Sequence, residues 1–201
     1  MGNKKRSLFY DNSLLLLGIT FCLWGITIID QNTPNWNLTL NYGIKPKIIS
    51  GILGIFTAPL IHINYSHLIG NTLPFMALAG MVLMNGRRKF IFTSIFSALF
   101  AGIGIWIFGA TGSIHTGSST LIFSYLGFLL IQAWLVRSLL TGFLAILSIT
   151  LYGTLLLTLL INQDGISWHG HIFGFLGGLI SAILITSSPS KKKRKAIIKI
   201  D

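Results

Sequence analysis

Six charge-free apolar runs, at about residues 13–29, 67–84, 90–110, 119–136, 139–162 and 168–187, constrain this chain more than any other feature. Each is long enough to cross a hydrocarbon core about 30 Å thick, which takes about twenty helical residues. Lipid tails offer the backbone no hydrogen-bonding partner, so such runs must satisfy their own N–H and C=O groups as helices. Composition agrees: 52% hydrophobic residues, 9% charged residues and a mean hydropathy of +0.75 leave too little polar surface to cover a water-soluble globule. The sequence therefore predicts an all-α membrane protein, a bundle of six transmembrane helices.

Orientation follows from the basic residues. Lys4, Lys5, Arg6, Arg87, Arg88, Lys89, Arg137, Lys191, Lys192, Lys193, Arg194, Lys195 and Lys199 fall on one side of the six runs, and only Lys45 and Lys47 on the other. This asymmetry predicts that both termini are cytoplasmic. The expected organisation is a basic cytoplasmic N-terminus over 1–12, one membrane domain over 13–187 and a basic cytoplasmic tail over 188–201. The Lys191–Lys195 run reads as an anchor at the lipid headgroups. Clustering beyond and between apolar runs, rather than along one amphipathic face, argues against nucleic acid as the partner of a chain with net charge +11. Arg6 stands where a myristoylation signal needs Ser or Thr, and no small-residue cleavage site follows the first run, so that run is expected to stay as a helix. The lone Cys22 is expected to pack within it.

Short connections imply antiparallel neighbours in one compact bundle. The exception is the first outer connection, about residues 30–66, which carries Trp36, Tyr42, Pro46, Pro59 and Tyr65 among apolar stretches such as 48–56. It is too apolar for a solvated loop and too broken by Gly and Pro for a span, so it is expected to be partly embedded in the membrane interface. No internal repeat is visible, which argues against an inverted-repeat transporter.

All five histidines, His62, His67, His115, His169 and His171, map to the outer side under this topology. Strongly polar groups gathered at one membrane depth point to a functional site. The four acidic residues, Asp11, Asp30, Asp164 and Asp201, all lie outside the apolar runs, which excludes a paired-carboxylate mechanism, and no HExxH motif is present. A serine, imidazoles and an amide remain, the inventory of nucleophilic acyl transfer. Ser118 and Ser119 are the candidate nucleophiles, with Gly117 allowing a tight turn into the helix. His171 is followed by Gly174 and Gly178, a small-residue face that lets another helix approach; if that neighbour is the fourth span, the imidazole reaches Ser119 as general base. Phe123, one turn after Ser119, is placed to stack on that ring. His67 and Asn71, four apart, share one helix face as possible oxyanion donors. Each of these features also has a purely structural reading, as helix packing or as a polar crosslink between helices.

Three ordered motifs then resemble the rhomboid intramembrane serine proteases: His62-x4-His67-x3-Asn71, Gly117-x-Ser119, and His171-x2-Gly174-x3-Gly178. The stretch Tyr42-Gly43-Ile44-Lys45-Pro46-Lys47 is also similar to the first loop of bacterial members, so the resemblance runs from about Tyr42 to Gly178. It implies a rhomboid-like six-helix bundle in the bacterial inner membrane that cleaves the transmembrane helices of protein substrates. The implied roles are Ser119 as nucleophile, His171 as general base, His67, Asn71 and the Ser119 amide around the oxyanion, and His62 as support. No metal and no cofactor are implied. Thr120 stands where the family usually has Gly, Phe123 where many members have Tyr, and Leu83 where many have Glu; the Trp-Arg pair of some first loops is missing. A β-branched Thr120 crowds the oxyanion site in one rotamer and can rotate away in another while the Ser119 N–H stays in place, so it is expected to cost rate without abolishing the reaction. Two readings compete with the protease: a non-catalytic relative that binds membrane helices, and a metal-binding or transport protein using the five histidines.

Overall fold

A computed structural model describes residues 2–33, 35–159 and 167–187 of the chain. The expected 188–201 tail, with its Lys191–Lys195 anchor, and most of the 163–167 connection lie outside the described residues.

Six helices are long and apolar enough to cross a membrane, and each coincides with one of the six runs. They are α1 (Gly2–Asn32), α4 (Tyr65–Met84), α5 (Arg87–Phe108), α6 (Ser119–Val136), α7 (Leu139–Tyr152) with its 3-10 continuation Gly153–Leu159, and α8 (Trp168–Ser187). The chain is an integral membrane protein. Two short helices, α2 (Leu38–Tyr42) and α3 (Gly54–Thr57), lie in the first connection. The basic triplet 87–89, expected in a connection, forms the first turn of α5 instead, after the tight Asn85-Gly86 link. In the fifth span the helix tightens at Gly153, where a residue of low helix propensity follows Tyr152.

Helix α6 is the axis of the bundle, with half of its span buried, while α1 and the fifth span are peripheral. Glycines set how closely α8 approaches it. A Cβ on Gly174 would meet the Thr120 carbonyl, one on Gly178 the Ser124 carbonyl, and one on Gly127 of α6 the Phe175 carbonyl. The small-residue face of α8 therefore lies backbone to backbone against α6, as the Gly174 and Gly178 spacing predicts. The core between α4, α6 and α7 is apolar, built on Phe75, Leu78, Ile122, Tyr125, Phe128 and Leu144. Polar crosslinks pin the helix pairs: Ser94 Oγ to Tyr125 OH at 2.8 Å, Ser124 Oγ to Ser97 Oγ at 2.5 Å, Ser181 Oγ to Thr93 Oγ1 at 3.2 Å and Thr186 Oγ1 to Gln132 Oε1 at 3.0 Å. In a lipid solvent, where apolar burial drives little association, such bonds and close packing do that work.

The first connection is folded onto the bundle. Ile44 exchanges both backbone bonds with His115, each 3.0 Å, and Gly117 N donates to Ala58 O at 2.9 Å. Trp106 of α5 is bracketed by it, accepting from Lys47 N through its carbonyl and donating from Nε1 to Ile48 O, both at 2.9 Å. Its other edge exposes Ile48, Ile49, Ile52, Leu53 and Phe56, an apolar rim suited to the membrane interface. Cys22 differs from expectation: it is exposed on α1, in line with lipid-facing neighbours such as Phe21, because α1 buries only a narrow strip against α4.

Candidate active site

The starts of α4, α6 and α8 meet at one end of the bundle around a cavity of about 630 Å³. His67, Asn71, His115, Ser119, Ser167 and His171 all line it. The side chains named from sequence as nucleophile, base and oxyanion donors thus share one space, although 52 residues (171 minus 119) separate Ser119 from His171.

The approach to α6 explains why one serine faces that space and the other does not. Gly117 has φ +115°, a conformation open to glycine, and a Cβ there would stand 2.6 Å from His67 Cε1 and 2.8 Å from its Nε2. The turn therefore needs glycine twice over, for its backbone and for its neighbour. Ser118, next in line, is 1% exposed, and both its N–H (3.3 Å) and its Oγ (3.1 Å) bond to His62 Nε2. An acceptor of an amide N–H carries no proton, so His62 is neutral, its proton on Nδ1. Burial and, next, the nearby His67 push its pKa down from 6.5 to about 4, which holds it in that form. His62 caps the start of α6, and Ser118 is spent on that cap. Ser119 is left to open on the cavity.

On the opposite wall, Asn64 caps α4 by accepting the His67 N–H at 2.8 Å, and this orients the first turn that carries His67 and Asn71. The Asn71 Nδ2 donor is buried without a protein partner, and a Cβ on Gly117 would lie 3.5 Å from it. A buried free donor beside the turn into the helix is chemically suited to a developing negative charge.

His171 is fixed from two directions. Its ring stacks on Phe123. Its Nδ1 lies 3.4 Å from Thr158 Oγ1, whose own proton goes to Leu155 O at 2.7 Å, so Thr158 accepts and Nδ1 carries the hydrogen. Nε2 is then the unprotonated nitrogen, free to accept. No hydrogen bond joins Ser119 Oγ to His171 in this state; the two share the cavity, and such bonds commonly tighten only with substrate bound. Nothing in the sequence marks Thr158, one threonine in an apolar run.

Thr120 is not among the residues that line this cavity. Its Oγ1 lies toward α8, 3.1 Å from where a Gly170 Cβ would be, and the residue lines a small cavity of about 10 Å³ between α5, the first connection and the 115–117 loop. It turns away from His67 and Asn71 because the helix places residue 120 about 100° around from residue 119. Among the described residues no three His, Cys, Asp or Glu side chains converge as metal ligands, and the hydrogen-bonded ring nitrogens of His62, His115 and His171 face hydroxyls and an amide.

The rhomboid domain family matches residues 50–188 of this chain. An uncharacterized protein of Mycobacterium tuberculosis is 32% identical over 198 residues, covering 94% of this chain and 81% of its own. Another, of Mycobacterium leprae, is 33% identical over 200 residues, with coverages of 94% and 77%. A Bacillus subtilis protein named "Putative rhomboid protease YdcA" is 26% identical over 142 residues, covering 70% of this chain and 69% of its own.

Proposed function

Because the chain belongs to the rhomboid family, we propose that it is an intramembrane serine endopeptidase that cleaves transmembrane helices of other membrane proteins through a Ser119–His171 dyad. The observation that carries this reading is the shared cavity, into which Ser119, His171, His67 and Asn71 converge from the starts of three spans.

The chemistry runs as acyl transfer. Ser119 Oγ attacks the scissile carbonyl carbon while its proton passes to His171 Nε2, the nitrogen left unprotonated by the Thr158 contact. The carbonyl oxygen becomes an oxyanion held by Asn71 Nδ2, His67 and the Ser119 backbone N–H at the start of α6. His171 then returns the proton to the leaving amine, and the C–N bond breaks to leave an acyl-enzyme. Water, deprotonated by the same imidazole, adds to the ester and releases the new carboxyl end. Phe123 holds the imidazole in the plane that a carboxylate sets in triad enzymes. His62 acts indirectly, by seating Ser118 and so the first turn of α6. No cofactor takes part.

The basic asymmetry supports a bacterial inner-membrane protein with both termini cytoplasmic, so that cleavage falls near the outer leaflet. Substrates are membrane proteins whose helices unwind readily at small residues, delivered through lipid. The test is cleavage of such a substrate in proteoliposomes, with Ser119 labelling by a fluorophosphonate. Wild type should cleave and label, Ser119→Ala and His171→Ala should do neither, and EDTA should change nothing. Full cleavage by Ser119→Ala would sink the mechanism, and a wild type inert in both assays would favour a helix-binding protein without catalysis.

A further inference from the structure

We propose that His115 is a positioning residue for this reaction, tying the loop that carries Ser119 to the start of the helix that carries His171 through a bond to Ser167. The role rests on the proteolytic reading above.

The ring of His115 sits between two hydroxyls, Ser113 Oγ at 2.8 Å from Nε2 and Ser167 Oγ at 2.7 Å from Nδ1. Proton counting assigns the roles. Ser113 gives its one hydroxyl proton to Ala110 O at 2.6 Å, so towards His115 it accepts, and Nε2 carries the hydrogen. Nδ1 of the neutral ring is then the acceptor, and Ser167 donates to it. The neutral ring is the stable one here, since burial and then the neighbouring His169 lower its pKa from 6.5 to about 4. On its backbone side His115 is held by the paired bonds to Ile44, so the ring has little freedom.

Both ends of the clasp lead directly to the dyad. Thr116, Gly117 and Ser118 run from His115 into Ser119, and the turn they make is itself anchored by Gly117 N on Ala58 O and Ser118 on His62. At the other end, the Ser167 carbonyl accepts the His171 N–H at 3.0 Å, which makes Ser167 the residue on which the first turn of α8 is built. Below the dyad the separation of α6 and α8 is set by Gly174 and Gly178 against the α6 backbone. Above it, between loop and helix start, the His115–Ser167 bond supplies the matching constraint. Productive proton transfer needs about 2.6–3.2 Å between hydroxyl and imidazole, and about 1 Å of misplacement costs on the order of 100-fold in rate.

The test uses kcat and KM for a transmembrane substrate in proteoliposomes. His115→Ala and Ser167→Ala should each lower kcat about 10–100-fold with KM within about two-fold, because displacing the dyad acts on the chemical step. The double variant should be no slower than the worse single one, since both remove the same bond. His115→Asn puts a carbonyl oxygen near the Nδ1 position and should recover most of the rate, whereas His115→Gln, which reaches towards Ser113 instead, should not. A purely structural histidine would lower thermal stability in all four His115 and Ser167 single variants without this ordering of kcat. If His115→Ala fails to fold, Ser167→Ala carries the test, since it deletes one hydroxyl. Unchanged kcat in Ser167→Ala, multiplicative losses in the double variant, or His115→Asn as slow as His115→Ala would overturn the role. A wild type that neither cleaves nor labels would overturn the proteolytic reading first, and this role with it.

Discussion

The ring of Phe123 lies on the imidazole of His171, centroids 4.1 Å apart and planes within 20° of parallel. Stacked aromatic pairs contribute about 0.5–1.5 kcal/mol beyond burial. Among the described residues no acidic side chain bonds to this imidazole, and the stack and the long Thr158 contact are its restraints there. Phe123→Ala should therefore lower kcat about 10–100-fold while Phe123→Tyr keeps the stack and most of the rate. Equal kcat in Phe123→Ala and wild type, measured on one transmembrane substrate, would mean that the ring is held by other contacts.

His67 and Asn71 act in the proposed mechanism only when charge develops on the carbonyl oxygen. Replacing Asn71 with Ala should cost about 10²–10³-fold in kcat with KM little changed, the pattern of a lost oxyanion donor. His67→Ala should also lower kcat, and because its ring fills the space against Gly117 the loss mixes packing with charge stabilisation. Unchanged turnover in both variants would make the pair a helix crosslink.

Much of this was legible in the residues, for identifiable reasons. Six spans are written in hydropathy because lipid enforces about twenty apolar residues per crossing. The α6–α8 contact is legible in Gly174 and Gly178, since close helix approach in lipid needs small residues at that spacing. What stayed hidden depends on rotation and on partners distant in sequence. In the sequence only the Gly117-x-Ser119 motif sets Ser119 apart from Ser118, and the physical reason, the His62 bond that occupies Ser118, is visible only in the fold. Thr158 and Ser167 are ordinary hydroxyl residues until a 3-10 turn and a helix start bring them to imidazole nitrogens. The direction in which the helix points Thr120 is likewise absent from its residue type.

That direction changes the expectation for Thr120→Gly. The threonine is buried, lies against Gly170 of α8, and does not line the cavity that holds His67 and Asn71. Its removal enlarges a small cavity and puts glycine into the first turn of α6, together costing about 1–2 kcal/mol of stability. The variant should melt earlier in detergent and turn over no faster than wild type. A several-fold gain in kcat would restore the crowding that the geometry denies.

Topology is tested by cysteine labelling in sealed cells, in a Cys22→Ser background because Cys22 is exposed on α1. A membrane-impermeant reagent added outside should modify Leu40→Cys and spare Lys193→Cys. The reverse pattern would invert the orientation drawn from the basic residues.

The last prediction concerns pH. His62 accepts the Ser118 N–H and His115 accepts the Ser167 O–H, so both rings are needed neutral. Burial first, and then a neighbouring histidine, lowers each folded pKa from 6.5 to about 4. Between those values the unfolded chain has bound protons that the folded chain refuses, so acidification favours unfolding. The stability contributed by neutral His62 and His115 is complete above about pH 6.5 and is lost progressively as the pH falls towards 4. Thermal midpoints in detergent should be level above that upper limit and should fall within the window. His62→Gln keeps an acceptor near the Nε2 position and cannot take a proton, so it should flatten the slope. Activity of the folded enzyme should fall only at the lower end of the window, as the pH approaches 4, since a protonated His62 turns an N–H towards the Ser118 amide and loosens the first turn of α6 on which Ser119 sits. A midpoint that holds or rises on acidification through this window would show that neither histidine is held neutral by the fold.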